Sequence, residues 1–303
     1  MLDVVVNPAT GSGRGRKIYE ELRPVFDEGG EPYRVHFSEP DKPIREIVRD
    51  ITRERSAKLV LIGGDGSMNE AVNGIADFAG TSLCFVPAGS GNDLARALGE
   101  KGRRQKILRH LTGEGKERLM DIGVLESGGK RRLFNISSGI GFDADTCYHA
   151  DRSRMKKALN RIRAGKLIYI TTALGLILKN DSFFCRIRTE DGTERVYEKC
   201  LFAVGMNHCY EGGGFMFCPE ASDEDGMLDF CVADGIGAGK FLRMFPSALS
   251  GRHVHYPEID IFRAREAVIR TGSQRHIHAD GEAGIMADEL KLSIHPEKLR
   301  LLV

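Results

Sequence analysis

The stretch Leu61-Ile62-Gly63-Gly64-Asp65-Gly66-Ser67-Met68-Asn69-Glu70 changes its period in the middle. Upstream, Leu59 to Ile62 is a continuous apolar run, as in a strand buried on both faces. Downstream of the Gly-Gly-Asp-Gly turn, Met68, Ala71, Val72 and Ile75 recur at helical spacing. The stretch predicts a buried strand that ends in a tight loop and feeds a helix N-terminus. Backbone without side chains can approach a phosphate there, and the first helical N–H groups favour negative charge. Asp65 is out of place if the loop only holds an anion. A carboxylate beside phosphates implies a cation or a proton to handle.

Outward from this unit the alternation repeats. Val4-Val5-Val6 leads through Asn7-Pro8-Ala9-Thr10-Gly11-Ser12-Gly13 to a helix striped by Ile18, Leu22, Val25 and Phe26. Tyr33 to Phe37 leads through Ser38-Glu39-Pro40 to a helix carrying Ile44, Ile47, Val48 and Ile51. Ser82 to Val86 meets Pro87-Ala88-Gly89-Ser90-Gly91-Asn92-Asp93, with a helix from Leu94. Strands alternating with helices across short loops predict a parallel sheet with helices on both faces, a three-layer αβα domain. Ligands of such sheets sit beyond the carboxyl ends of the strands, so the glycine-rich loops are expected to share one crevice. The first loop has neither P-loop nor dinucleotide-fold spacing, and alone it reads equally as a phosphate loop or a plain turn.

The pattern shifts near Met120-Asp121-Ile122-Gly123. Short strands and turns follow: Val124 to Glu126, Arg132 to Ser137, Phe183 to Thr189, Arg195 to Val204, Met227 to Val232, Glu258 to Arg263, Ala267 to Thr271, His276 to Asp280 and Glu289 to His295. One helical stretch interrupts them, roughly Asp151 to Lys179. The expectation is an α/β chain in two domains. Residues 1–122 form the parallel-sheet domain, and 123–303 a mainly antiparallel β-sandwich whose last strand can pack back on the first domain.

Bulk properties narrow the function. The chain has 303 residues, 41% of them hydrophobic, enough for two ordinary domains with real cores. A net charge of +1 leaves no electrostatic footprint for nucleic acid. Seven cysteines without CxxC spacing suggest free thiols in a reducing compartment, so the expected location is cytoplasmic. The N-terminus has no basic region or cleavage signal, so no signal peptide is expected. No apolar run approaches the ~20 residues of a membrane span, so any membrane contact is expected to be peripheral.

Three acids fall at strand ends or at the domain junction: Asp65, Asp93 and Asp121. Converging carboxylates suit magnesium, which binds through one or two carboxylates, waters and substrate phosphates. The competing reading makes Asp93 a cap of the helix at Leu94.

At this point the residues carry a resemblance. Gly63 to Glu70, followed by Pro87 to Asp93, resembles the catalytic signature of the diacylglycerol kinase family, and the chain is similar to its bacterial soluble lipid kinases, the YegS-like branch. Asn7-Pro8 with Gly11 and Gly13 fits the first loop of that family; Asp225-Gly226-Met227-Leu228-Asp229 and Asp280-Gly281-Glu282 fit two later motifs. Ser67 and Ser90 stand where the family often has threonine, and the hydroxyl is kept. The resemblance implies a first domain of the NAD kinase and phosphofructokinase type, and ATP-dependent phosphorylation of a membrane-lipid hydroxyl with Mg2+. Diacylglycerol would be the first acceptor to test. It implies that Gly63, Gly64, Asp65, Gly66, Ser67, Met68 and Asn69 line the nucleotide, with Asn7, Gly11, Ser38, Ser90 and Asn92 beside them. Asp65, Asp93 and Asp121 would hold catalytic Mg2+ largely through water. A structural Mg2+ would map to Asp225 and the backbone carbonyls of Ser222 and Met227; without the family, that stretch is an ordinary acidic turn. The rival enzyme is an NAD kinase, which shares the Gly-Gly-Asp-Gly loop. A sphingoid-base, ceramide or polyprenol kinase would differ only in acceptor.

Phosphoryl transfer needs one residue to orient or deprotonate the attacking hydroxyl. Strand alternation places His276, His278 and Asp280 on one face, and the turn beyond projects Asp280 and Glu282. The resemblance supplies the choice: related bacterial kinases assign the base to the acidic pair of this motif and related sphingosine kinases to the Asp matching Asp65, so Glu282 is the expected proton acceptor with Asp280 beside it, and Asp65 is the rival. The row of histidines reads as satisfied strand residues rather than zinc ligands. Arg152 to Lys166 holds seven basic residues and no acid, with Met155, Leu159 and Ile162 at helical spacing. It reads either as a helix lying on an anionic membrane or as a solvated face over a core stripe. The partners expected are thus a membrane lipid and an anionic membrane surface at the inner face, without nucleic acid. The resemblance leaves a homodimer open.

Overall fold

The computed structural model describes residues 1–99, 115–152 and 181–302, and of the remainder only 107, 109, 172–173 and 175–177. The helical stretch expected over 151–179, and with it the basic run 152–166 beyond Arg152, lies largely outside the described residues. The chain forms two compact units, Met1–Asp121 with Pro296–Val303, and Ile122–His295.

The first unit holds β1 (Leu2–Val6), α1 (Thr10–Glu28), β2 (Tyr33–Phe37), α2 (Ile44–Glu54), β3 (Ala57–Gly63), α3 (Asp65–Gly74), β4 (Thr81–Pro87), α4 (Asp93–Ala97), β5 (Glu117–Met120) and, from the far end of the chain, β17 (Leu299–Leu302). Its sheet runs β2-β1-β3-β4-β17-β5. All neighbours are parallel except β5, which runs antiparallel to β17. Alternate residues Val4, Val6, Val60, Ile62 and Val86 pack against Ile18, Leu22, Val25 and Phe26 of α1. The intervening Val5, Leu59, Leu61, Leu83 and Phe85 point to the other face and are also buried, so the sheet is covered on both sides. This is a three-layer αβα domain. The register pairs Val6 with Ile62 and Gly63 with Pro87, which brings the carboxyl ends of β1, β3 and β4 level.

The second unit contains β6 (Gly123–Ser127), β7 (Lys130–Phe134), β8 (Ser137–Gly141), α5 (Phe142–Arg152), β9 (Phe183–Thr189), β10 (Glu194–Met206), β11 (Tyr210–Glu211), β12 (Phe215–Met216), β13 (Leu228–Asp234), α6 (Ala238–Met244), β14 (Ile259–Ala264), β15 (Glu266–Ala279) and β16 (Glu282–Ile294). The main sheet is ordered β14-β13-β10-β8-β15-β16-β6-β7, with β9 joining β10 and β15. Its pairs are antiparallel, and the whole is a β-sandwich. Phe134, Ile140, Ile187, Phe230, Ile269, Ile277 and Leu290 form its core.

The strand expected over 289–295 starts already at Glu282, and two other expectations change in the number of strands. The strand expected over 132–137 is two strands, broken at Asn135 and Ile136, because their N–H groups donate to the Asp280 carboxylate at 2.8 Å each instead of to a ladder. The segments expected at 267–271 and 276–280 are one strand, β15, whose pairing with β16 shifts register between Arg270 and Arg275. The described cysteines form no disulfide. Among the described residues no helix is long and apolar enough to cross a membrane.

Candidate active site

Three loops meet at the carboxyl ends of β1, β3 and β4. Asn7 Nδ2 donates to Ser67 Oγ at 3.0 Å, and Asn7 Oδ1 accepts the Ala9 N–H at 3.2 Å, which ties the first loop to the start of α3. The Ala88 N–H donates to the Gly63 carbonyl at 2.7 Å, and a Cβ on Gly64 would lie 3.1 Å from Gly89 Cα, so the second and third loops are in backbone contact. Gly11, Ser12 and Gly13 have φ of 60°, 60° and 89°, so α1 begins only after a left-handed run, and a Cβ at Gly11 would meet the Ala88 carbonyl at 2.5 Å. The result is a concave backbone surface fronted by the N-terminus of α3, suited to phosphate groups. Gly66 and Ser90 are exposed on it. Met68 and Asn69 lie in the first turns of α3 and are buried, so their side chains serve the interior. Ser38 follows β2, its N–H donating to the Val6 carbonyl at 2.9 Å.

Asp65 spans two elements. Its Oδ2 accepts the Asp93 N–H at 3.2 Å and its Oδ1 the Leu94 N–H at 3.4 Å. It thereby caps α4 from outside, since Asn92, at the cap position with φ 54°, makes no side-chain cap bond. Asp93 is the first residue inside that helix rather than its cap, and it pairs with Arg96 one turn on. Asp65 Oδ2 and Asp93 Oδ2 flank Gly91, whose absent Cβ would lie 3.1 and 3.7 Å from them. Two carboxylates on one small gap fit a hydrated Mg2+. Asp121 is buried at the end of β5 and bound to Lys298 Nζ at 2.9 Å. Among the described residues no three His, Cys, Asp or Glu side chains are grouped to hold a metal directly.

The second unit separates the two acids of the Asp280-Gly281-Glu282 turn. Asp280, with φ 50°, accepts the N–H groups of Asn135, Ile136 and Ser137 at 2.8, 2.8 and 3.1 Å, and Asn135 Nδ2 at 3.0 Å. Glu282 is exposed and pairs with Arg132. His276 Nδ1 lies 2.5 Å from Asp145 Oδ1, and His278 Nε2 lies 2.8 Å from Asp143 Oδ2. The sequence assigned neither aspartate a role, because both sit on α5, far along the chain from the histidines they meet. The loop around 222–227 gathers acids. Asp225 Oδ1 accepts the Met227 N–H at 3.0 Å while Oδ2 pairs with Arg263, and Ser222 Oγ accepts the Glu224 N–H at 3.4 Å. Burial, helped by Glu220, pushes the Asp229 carboxyl up to about 6. The Arg263 guanidinium pairs with Asp225 and also lies 3.5 Å from Asp229 Oδ1, so it already balances part of the charge a cation would meet at this loop.

The comparisons agree with this architecture. The family "Diacylglycerol kinase catalytic domain" matches residues 1–125, and "YegS C-terminal NAD kinase beta sandwich-like domain" matches 136–303. A diacylglycerol kinase of Mycobacterium tuberculosis (strain H37Rv) is 29% identical over 78% of this chain and 74% of its own. A diacylglycerol kinase of Bacillus subtilis is 26% identical over 93% and 90%. The crystal structure of a diacylglycerol kinase from Bacillus anthracis shares the fold, with a TM-score of 0.71 at 17% identity over 99% of this chain and 96% of that one. The loops, the acids around Gly91 and both domain matches place this chain in the diacylglycerol kinase catalytic-domain family, in the branch with a YegS-type β-sandwich.

Proposed function

We propose that the chain is an ATP:lipid phosphotransferase, with the hydroxyl of diacylglycerol as acceptor and phosphatidic acid as product, serving phospholipid metabolism. The observation that carries this reading is the pair of carboxylates, Asp65 and Asp93, flanking Gly91 where three glycine-rich loops meet, in a chain whose relatives are named diacylglycerol kinase.

In this reading the backbone from Gly63 to Asn69, with Asn7, Gly11, Ser38, Ser90 and Asn92, receives the ATP phosphates. Magnesium, when bound, supplies charge neutralisation on the transferring phosphoryl group. Asp65 and Asp93 would hold it through water, with Asp121 as the third acid, and Ser222, Asp225 and Met227 would hold a structural Mg2+. Glu282 accepts the proton of the lipid hydroxyl. Asp280 sits beside it with both oxygens committed to four hydrogen bonds, which favours Glu282 for proton transfer and Asp280 for holding the turn. Asp65 is the rival base; its oxygens accept the first two amides of α4. The acceptor is drawn from the anionic inner face of the cytoplasmic membrane, to which the enzyme binds peripherally. The basic run 152–166 is the proposed contact. A homodimer is compatible with this scheme.

The test is incubation of the purified protein with ATP, Mg2+ and a mixed lipid extract, with mass spectrometry of the lipid that gains a phosphate. Phosphatidic acid is the expected product. A phosphorylated sphingoid base, ceramide or polyprenol would move the acceptor and keep the kinase. Phosphorylated NAD as sole product, with NAD added, would overturn the reading.

A further inference from the structure

His278 is the last but one residue of β15, and it is fully buried. Nε2 lies 2.8 Å from Asp143 Oδ2 in the first turn of α5 and 3.8 Å from Glu211 Oε1 on β11. Glu211 Oε1 also accepts the Ser137 hydroxyl at 2.7 Å, and the Ser137 N–H donates to Asp280 Oδ1 at 3.1 Å. On its other side, Nδ1 lies 3.2 Å from the Gly281 N–H, which donates to it. The ring therefore touches the turn directly through Gly281 and indirectly through Glu211, Ser137 and Asp280. Gly139 makes room for this arrangement, since a Cβ there would lie 2.7 Å from Asp143 Oδ2.

The two contacts of the ring ask for different proton counts. Accepting the Gly281 N–H requires a lone pair on Nδ1, so the bonded ring is the neutral Nε2–H form. The surroundings pull the other way. Burial disfavours the charged ring, but the carboxylates of Asp143, Glu211 and Asp280 outweigh it and raise the pKa to about 9. The facing elements contribute these groups: Asp143 and Asp145 from α5, with Asp145 engaged by His276; Glu211 from β11; Asp280 from beyond β15; Glu282 from β16, paired with Arg132. Strand β8, which pairs with β15 at His278, carries no titratable side chain. An imidazolium bears hydrogen on Nδ1, so a second proton and the Gly281 bond exclude each other.

We propose that His278 is a positioning residue for the Gly281-Glu282 arm of the turn, whose Asp280 end stays anchored by its own four hydrogen bonds: it holds that arm through the Gly281 N–H while the ring is neutral and releases it when a proton takes Nδ1. The proposal rests on the reading that Glu282 accepts the lipid proton. The sign follows from the exclusion. The arm is released at pH below the ring's titration and held above it, so the rate rises as the proton leaves.

The experiment compares kcat and the KM for ATP across pH 7 to 10 for three forms of the full chain, using a short-chain, micellar diacylglycerol. Wild type is expected to gain about tenfold in kcat across a transition near pH 9, with KM for ATP unchanged. His278→Asn places an amide oxygen near the Nδ1 position and cannot titrate, so its profile loses that transition and stays near the high-pH rate. His278→Gln keeps a donor toward Asp143 but offers Gly281 no acceptor, so its kcat is about tenfold low at every pH. If both variants keep the wild-type inflection, the proposal is overturned. Because a buried substitution can prevent folding, a second measurement uses wild type alone. Nitrogen-15 NMR follows the Gly281 amide and the His278 ring nitrogens through the titration. The Gly281 amide is expected to shift with the same midpoint as Nδ1, and a Gly281 signal blind to that titration overturns the proposal. A wild-type protein that phosphorylates no lipid would defeat the kinase reading instead, and the NMR titration would still decide the turn.

Discussion

Asp280 and Glu282 are two residues apart and chemically alike, yet their surroundings give them different work. The Asp280 carboxylate replaces a strand ladder for three consecutive backbone N–H groups. Asp280→Asn turns one of its oxygens into a donor facing donors, with an expected loss of ~1–3 kcal/mol in chemical denaturation. Glu282→Gln breaks only an exposed pair with Arg132, so stability should move by less than ~1 kcal/mol. Phosphoryl transfer by that variant should fall at least about hundredfold if Glu282 takes the proton. Equal activity of Glu282→Gln and wild type would return the base to Asp65. For Asp65→Asn, phosphoryl transfer to diacylglycerol should be lost, while thermal unfolding reports a cost of about 1 kcal/mol for the weakened cap on α4. Full activity there would remove Asp65 from the chemistry. Asp65 was visible in the sequence because a carboxylate is conspicuous in a glycine loop. Its role as a cap was not, because the helix it caps begins 28 residues later.

At the start of α3, spacing and periodicity located the element well: the strand ends at Gly63 and the helix begins at Asp65. The side-chain lock behind it, Asn7 to Ser67, joins residues 60 positions apart and has no local signature. Gly63 is needed for close approach, because a Cβ there would overlap Ser67. Gly63→Ala should therefore displace Ser67 and the first turn of α3, costing ~1–3 kcal/mol in thermal or denaturant unfolding. It should also raise the KM for ATP. An unchanged KM with lowered stability would separate the loop from nucleotide binding. The strands of the second unit were located less sharply where side chains compete for the backbone. Asn135 and Ile136 have strand-like neighbours but surrender their amides to Asp280.

The chain returns to its first unit at the end. Strand β17 pairs with β4 on one side and β5 on the other, so without it β5 loses its place in the sheet. Deleting residues 296–303 removes the buried Leu299, Leu301 and Leu302 and should cost on the order of 5 kcal/mol, read as loss of the thermal transition of the first unit. A deletion variant that melts like the full chain would show β17 to be dispensable. Local periodicity was sufficient for the alternating strands and helices of the first unit, since each element there buries a face whose spacing is written in a few neighbouring residues. The glycine-loop motifs were legible for the same reason, because a turn that lets backbone approach a ligand needs particular residues side by side. What only the folded chain decided were the partners: Arg96 on Asp93, Lys298 on Asp121, Arg132 on Glu282, and Asp143 with Glu211 around His278. Apart from Arg96, these join residues tens to hundreds of positions apart, brought together by sheet topology and register. Charge and hydrogen-bond state depend on such neighbours in space, and no period along the chain encodes them.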